Sequence, residues 1–273
     1  MGRWLRRLAV SVVVAGLAGL GWVAVGLPPR ADVRSLAKEK PGQTALMRQR
    51  EGEARRDDRK ARRSQQWVPL SQVSSHLLHA VLASEDQRFF GHAGVDWAAL
   101  RESVEDNVER GRLWRGGSTL TQQLAKNLFL GTSRTPLRKA RELVVTRWIE
   151  QDLTKVRILA LYVNVIEWGD GIYGCEAAAR HWYGKPASSL TREEAAGLAA
   201  MIPNPRRINP KANPCWFERA RARVLGLMER SGYIGRDVAG LGATSAAEPE
   251  PVVEPVVEPE VEPEAELRSA PAS

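Results

Sequence analysis

The chain has 273 residues, 43% of them hydrophobic, and a formal net charge of +8 at neutral pH. A chain of this length can hold one sizeable domain with appendages. Residues 248–273 contribute −7, so the remainder carries +15. So basic a body indicates anionic partners such as lipid headgroups or a phosphorylated substrate. Nucleic acid is excluded as the main partner because the N-terminus indicates export.

The N-terminal segment predicts a membrane anchor. Residues 8–27 are twenty consecutive uncharged residues, and at ~1.5 Å each they span a hydrocarbon layer of ~30 Å. A cleaved signal peptide has a shorter apolar core and a small-x-small cleavage site, whereas Pro28-Pro29-Arg30 follows here. We therefore predict a transmembrane helix over residues 8–27, with residues 1–7 as a short N-terminal end. Basic residues flank both ends, so their number does not set the orientation.

A charged segment follows the anchor. Residues 28–66 predict a juxtamembrane stalk that contains the mixed-charge run 55–63. This run has no apolar face, which is typical of a solvated linker or an exposed helix. Its basic residues could also attract anionic headgroups, at up to about 1 kcal/mol each.

The stretch from residue 67 to residue 240 predicts a mainly α domain. Apolar residues recur at helical spacing in several places, as in Val73, Leu77, Leu78, Val81 and Leu82, and no alternating run is long enough to predict a strand. Residues 241–273 repeat Glu-Pro with Val-Val pairs and predict a disordered acidic tail. The two cysteines, Cys175 and Cys215, leave a disulfide and two free thiols equally open.

The first motif with residue types suited to catalysis is Glu85-Asp86. It lies at the end of an apolar helical pattern and before an aromatic turn, Phe89-Phe90-Gly91-His92. A base that accepts a proton from a sugar hydroxyl is a carboxylate or a histidine, and aromatic neighbours raise a carboxylate pKa by desolvation. The alternative is an exposed acidic pair at a helix C-terminus, which the helix dipole disfavours. His92 has no histidine or cysteine neighbour at metal-ligand spacing, so we interpret it as a scaffold residue.

A second motif begins at Gly116-Gly117-Ser118, where small residues at a helix start leave backbone N–H groups open to an anion. At ~100° per residue, one helix face carries polar groups, namely Thr119, Gln123, Lys126 and Asn127. An ordinary amphipathic surface helix would show a similar pattern.

A third motif, Arg134 to Glu142, is rich in cations. Arg134, Arg138 and Lys139, together with Lys126, could bind a leaving pyrophosphate. Glu142 could hold these cations in place or help to hold a divalent metal. The alternative is a surface ion pair between Arg138 and Glu142 at i,i+4 spacing.

These motifs resemble the peptidoglycan glycosyltransferase family, in particular its monofunctional biosynthetic transglycosylases. The family patterns Glu-Asp-x-x-Phe-x-x-His, Gly-x-Ser-Thr-x-Thr-Gln-Gln and Arg-Lys-x-x-Glu all match. A fourth block, residues 155–164, matches except that Ala160 replaces a glutamate and Val163 a leucine. The resemblance covers about residues 67–233.

The resemblance implies a mainly α, lysozyme-like glycosyltransferase domain that polymerises lipid II into β-1,4-linked glycan with inversion and release of undecaprenyl pyrophosphate. It implies Glu85 and Glu142 as the catalytic carboxylates and a larger set of substrate-binding residues, namely Asp86, Phe89, His92, Ser118, Thr119, Gln123, Lys126, Asn127, Arg134, Arg138 and Lys139.

The same resemblance implies the cellular setting. The protein would be a single-pass protein of the cell inner membrane, with residues 1–7 as a short cytoplasmic end and its catalytic domain in the periplasm. Its partners would be lipid II, the nascent glycan strand and penicillin-binding proteins. No cofactor is obligatory, although Mg²⁺ or Mn²⁺ could assist. We expect no transpeptidase activity, because no Ser-x-x-Lys pattern begins at Ser133.

Two other functions stay open on the residues alone. A lysozyme-type hydrolase would share the helical fold and the carboxylate but would not need the row of cations. A non-enzymatic module that binds anionic lipid or cell wall would explain the charge and the anchor, and would leave Glu85 without a role.

Overall fold

The computed structural model describes residues 2–110 and 117–231. The tail predicted for 241–273 and the predicted domain end at residue 240 lie outside these residues. The described part is mainly helical, as predicted, with eleven α-helices and three short strands. The N-terminal helices and the first strand are α1 (Gly2–Ala24), α2 (Arg30–Ser35), α3 (Ala45–Arg56) and β1 (Ser64–Gln65). The remaining elements are α4 (Ser75–Glu85), α5 (Trp97–Arg110), α6 (Leu120–Ala125), α7 (Pro136–Asp152), α8 (Lys155–Val165), β2 (Glu167–Gly169), β3 (Ile172–Tyr173), α9 (Cys175–Tyr183), α10 (Arg192–Met201) and α11 (Pro214–Arg230).

Helix α1 is apolar on all sides after Arg7. Its stretch Trp4–Ala24 is long and apolar enough to cross a membrane, and it is not buried against the protein. This helix fits a single-pass membrane anchor. It starts and ends earlier than the predicted span 8–27, and Arg141 of α7 binds the carbonyl oxygens of Trp22 and Val23 at its end, at 2.7 and 3.1 Å. A cation at a helix C-terminus satisfies carbonyls that lack a partner in the helix.

Residues 28–66, predicted as a stalk, fold against the domain. Helix α2 buries Val33, and Leu36 follows it into the main hydrophobic core. Helix α3 buries Leu46 and Met47 against Tyr173. These apolar residues are few and lie between charged ones. The composition of the segment therefore does not predict that it packs on the domain.

The main core lies between α4, α6, α7, α8, α10 and α11. Side-chain caps start most of these helices, for example Ser74 before α4, Thr119 before α6 and Thr191 before α10. Among the fully buried core residues are Leu77, Leu120, Leu124, Ile149, Ile158 and Trp168. The apolar stripe predicted from Val73 to Leu82 is thus the inner face of α4.

Three short strands form a sheet in the order β1-β3-β2, with β1 parallel and β2 antiparallel to β3. No strand was predicted, because strands of two or three residues are too short to show an alternating pattern. Gly171 permits the turn between β2 and β3 with a φ of 73°, and a Cβ atom there would lie 2.5 Å from the carbonyl oxygen of Arg62. A glycine is therefore required at this position.

Candidate active site

A cleft of about 780 Å³ opens where α4 ends and α6 begins. The predicted site residues that line it are Glu85, Asp86, Ser118, Thr119, Gln123, Lys126 and Arg134. Its other walls come from α5, from Pro203 after α10, and from α11. The volume suits a ligand larger than one sugar ring, and both polar and charged groups converge on it.

Glu85 is the last residue of α4 and is half-buried at the cleft. The Gln123 amide nitrogen donates a hydrogen bond to its Oε2 at 2.9 Å. The Gln123 carbonyl oxygen in turn accepts a hydrogen bond from the hydroxyl of the fully buried Tyr162, also at 2.9 Å. Desolvation raises the pKa of Glu85, and the bond from Gln123 and the charge of Lys126 only partly offset this rise. A raised pKa suits a carboxylate that accepts a proton.

Asp86 faces away from this chain of bonds and ties the aromatic turn to α6. His92 Nε2 lies 2.9 Å from its Oδ1, and the backbone N–H of Leu120 donates to its Oδ2 at 2.9 Å. The backbone N–H of Gly94 donates to His92 Nδ1 at 3.1 Å, so the neutral ring carries its proton on Nε2 and donates it to Asp86. Asp86 and His92 therefore tie the turn that follows Glu85 to the start of α6.

The carboxylates Asp86 and Asp96 with His92 bring three metal-ligating atoms within 4.8 Å of one another. Each group already has a hydrogen-bond partner, however. Asp96 accepts hydrogen bonds from Arg88 at 2.7 Å and from the N–H of Ala99 at 2.9 Å. These bonds explain the cluster as a scaffold without a metal ion.

Phe89 is fully buried beneath the same turn. The Lys155 ammonium lies 4.4 Å from the centre of its ring, in a cation–π contact. Lys155 also pairs with Glu150 at 2.8 Å. Phe89 thus anchors the turn in the protein core and does not line the cleft.

The second motif departs from a regular helix. Thr119 caps α6, and its hydroxyl donates to the carbonyl oxygen of Gly94 at 2.6 Å, so this side chain positions the helix. Helix α6 ends at Ala125 and continues as a π-helical turn over Lys126–Leu130. A π turn adds a residue per turn and breaks the 100° spacing. Gln123 and Lys126 therefore line the cleft, whereas Asn127 is buried and does not line it.

Glu142 holds the cations of α7 in place. It is buried, and it accepts hydrogen bonds from Arg138 and, at 2.5 Å, from Lys139. Lys139 also donates to the Ser118 hydroxyl at 3.3 Å. Burial lowers the pKa of Lys126, and the nearby charge of Glu142 partly offsets this. The result is a cationic surface from Ser118 to Lys139, next to Glu85.

A divalent metal does not fit Glu142 in this arrangement. Each of its two oxygen atoms already binds a cationic side chain. A metal ion there would lie against two positive charges and would have to displace both.

Some residues at the site were not predicted. Tyr162 belongs to the block 155–164, which carried the resemblance but was given no role. Arg223 and Leu227 reach the cleft from α11, which bears no motif. Only the packing of α11 on α4 brings these two residues there, so no local pattern in the sequence could have identified them.

Comparison with known proteins gives the family of this chain. Residues 52–229 match the family model described as Transglycosylase. Among the similar proteins are biosynthetic peptidoglycan transglycosylases of Bordetella pertussis (53% identity over 192 residues, covering 69% of this chain and 79% of that one) and of Nitrosospira multiformis (46% over 188 residues, 69% and 82%). The one from Dechloromonas aromatica is 40% identical over 232 residues, which cover 84% of this chain and 96% of that relative.

The match covers α4, α6, α7 and the cleft between them, and it includes part of the segment expected to be a stalk. The resemblance drawn from the motifs is confirmed, as is the mainly α, lysozyme-like fold. The chain belongs to the transglycosylase family, and it is a peptidoglycan glycosyltransferase.

Proposed function

We propose that this protein polymerises lipid II into β-1,4-linked glycan strands, with Glu85 as the general base. The observation that carries the proposal is the contrast around Glu85. Its carboxylate has a raised pKa and a neutral donor, Gln123, while a cationic surface begins at Lys126. A base beside a site for a polyanionic leaving group is the arrangement that sugar transfer from a pyrophosphate donor needs.

In the proposed step, Glu85 takes the proton from the 4-hydroxyl of the acceptor N-acetylglucosamine. An electron pair of that 4-oxygen attacks the anomeric carbon of the donor N-acetylmuramic acid from the face opposite the pyrophosphate. The bond from that carbon to the pyrophosphate oxygen breaks, and undecaprenyl pyrophosphate leaves. Attack from the opposite face inverts the anomeric centre and gives the β linkage.

The leaving group would meet the cations of the third motif. Lys126 and Arg134 line the cleft, and Lys139 contacts Ser118 at its edge. The Nε atom of Arg138 is buried and has no hydrogen-bond partner in the described residues. A buried donor without a partner is costly, and a phosphate oxygen would satisfy it. These preorganised cations would stabilise the negative charge that develops on the pyrophosphate.

We further propose that no divalent metal is obligatory, because Arg138 and Lys139 already provide the positive charge at Glu142. Polymerisation should then continue after exhaustive treatment with EDTA. A complete loss of product that Mg²⁺ or Mn²⁺ alone restores would contradict this.

The anchor α1 suits a substrate whose lipid tail stays in the membrane. We propose that α1 crosses the cell inner membrane and that the domain faces the periplasm, where penicillin-binding proteins would crosslink its glycan. Protease added to spheroplasts should digest the domain. The purified protein should release glycan without any peptide crosslink, as expected for an enzyme without transpeptidase activity.

The test of the proposal is glycan formation from purified lipid II by wild type, Glu85→Gln and Glu193→Gln. Glu193 is an exposed carboxylate on α10 outside the cleft, so its variant controls for the loss of a charge. We expect long glycan from wild type and Glu193→Gln, and at least a thousandfold less from Glu85→Gln.

Other outcomes would identify the rival functions. Equal product from wild type and Glu85→Gln would refute the role of Glu85. Shortening of preformed glycan, with no extension of lipid II, would indicate a hydrolase. Binding of lipid II without any turnover would indicate a non-enzymatic module.

A further inference from the structure

The anchor helix carries a tryptophan near each of its ends. Trp4 and Trp22 are both exposed on α1, and the eighteen residues from one to the other rise about 27 Å along a helix. This length matches a hydrocarbon layer of about 30 Å, and tryptophan is enriched at both interfaces between membrane and water. The two side chains therefore indicate that the last turn of α1, at Trp22, lies at the level of the lipid headgroups.

One arginine of the domain binds this last turn. Arg141 of α7 donates hydrogen bonds to the carbonyl oxygens of Trp22 and Val23. Its guanidinium group packs directly on Gly26, where a Cβ atom would lie 2.1 Å from the Arg141 Cζ atom. Any side chain at residue 26 would therefore displace the guanidinium group from this position.

The chain that follows the anchor stays attached to the same helix. Leu27 packs on the main core, and Arg30 pairs with Asp152, the last residue of α7, at 3.2 Å. The connection is thus bound to α7 at Arg141 and again at Asp152. It is a fixed joint between the anchor and α7, and not a free linker.

The cations proposed to meet the leaving group lie on α7 beside Arg141. Arg138 and Lys139 precede it by three and two residues, and Glu142, which binds both, follows it directly. Three residues rise only about 4.5 Å along a helix. These cations therefore lie close to the height of Trp22, whichever way α7 is inclined to the membrane.

We propose that Arg141 is a positioning residue that, together with Gly26, holds the donor cations at the headgroup level of the bilayer. This proposal rests on the proposed function, because it requires a pyrophosphate donor whose lipid stays in the membrane. The pyrophosphate of such a donor lies at the same level, so a fixed height brings the cations to it without drawing the lipid out of the bilayer. The simpler role for Arg141 is to satisfy the last carbonyls of α1 and nothing more.

The test compares a donor in a bilayer with a donor in solution. The full chain in vesicles would be assayed on lipid II in the same vesicles and on a lipid II analogue with a short, water-soluble prenyl chain. The variants are Arg141→Gln, Gly26→Ala, which displaces the guanidinium group without changing any charge, and Arg147→Gln as the control. Arg147 is an exposed arginine of α7 that does not line the cleft. Thermal melting of each variant would verify that it is folded.

With lipid II in vesicles, we expect Arg141→Gln and Gly26→Ala each to lower kcat/KM about tenfold, and Arg147→Gln to leave it unchanged. With the soluble analogue, all three variants should stay within about twofold of wild type, because that substrate can approach the cations at any height.

Three results would overturn the proposal. An equal loss on both substrates would indicate that Arg141 acts on the site itself. A loss in Arg141→Gln but not in Gly26→Ala would indicate that its charge attracts headgroups, and unchanged rates in both would leave Arg141 as a helix cap. Absence of glycan from wild type with lipid II in vesicles would instead refute the proposed function.

Discussion

Two glutamates at the same cleft have opposite surroundings. Glu85 receives one hydrogen bond, from a neutral amide, and desolvation raises its pKa. Glu142 is more deeply buried, yet Arg138 and Lys139 both bind it. The same side chain is therefore suited to accept a proton at the end of α4, as we propose, whereas on α7 it holds two cations in place. Environment, and not residue type, assigns the two roles.

The largest effect should follow from removing the charge of Glu142. Replacing Glu142 by Gln leaves two cations without their anion, and the Arg138 side chain is only 15% exposed. We expect the free energy of unfolding to fall by about 3 kcal/mol and polymerisation to fall about a hundredfold. Urea denaturation and lipid II turnover would measure both. The control is Glu218→Gln, which breaks the exposed pair with Arg221 and should cost less than about 1 kcal/mol. Equal losses in both variants would contradict the account.

A smaller effect should follow from loosening the support of Glu85. Tyr162→Phe removes the hydroxyl that orients Gln123 and leaves a buried acceptor without its partner. We expect kcat to fall about tenfold with little change in KM, because the loss of about 1.4 kcal/mol falls on the positioning of the base. Tyr183→Phe, at a partly buried tyrosine that does not line the cleft, serves as the control. A rise in KM with unchanged kcat would show that Tyr162 acts on substrate binding instead.

The smallest effect concerns stability. A carboxyl group whose pKa is higher in the folded state costs no stability at low pH, where it is protonated in both states. The cost develops as pH rises through the ordinary carboxyl range, because only the unfolded chain ionises freely. Glu85→Gln should therefore be more stable than wild type at neutral pH, by about 1 kcal/mol, and the difference should vanish near pH 4. Melting temperatures across this range would test the sign, and a less stable variant at neutral pH would contradict it.

The sequence could predict the helical fold and the chemistry of the motifs, because apolar spacing and residue type are local properties. It marked Glu85 as a candidate base, as a carboxylate beside an aromatic turn, and it marked the cations through their number, and these roles stay predictions. It could not predict that Asn127 turns inward, since a regular helical wheel does not include the π turn after Ala125. Nor could it predict that α2 and α3 pack on the domain, since a few apolar residues among many charges give no periodic signal.

Long-range contacts bring to the site two residues to which no motif gave a role. Tyr162 reaches Gln123 from a helix 39 residues away in sequence. Arg223 reaches the cleft because α11 lies along α4. Both depend on the packing of helices that are distant in the chain, which no single window of sequence contains. The positioning of the proposed base is thus a tertiary property, whereas the residue type that suggests a base is a local one.

The central claim, that a desolvated Glu85 is the base, is tested most directly by the pH dependence of kcat/KM for lipid II polymerisation. We predict that the acid limb follows one group with a pKa above the ordinary carboxyl range. In Gln123→Met, which removes the hydrogen bond that lowers the pKa of Glu85, this limb should move to still higher pH. An acid limb at the ordinary carboxyl pKa, or one that does not move in Gln123→Met, would contradict the account.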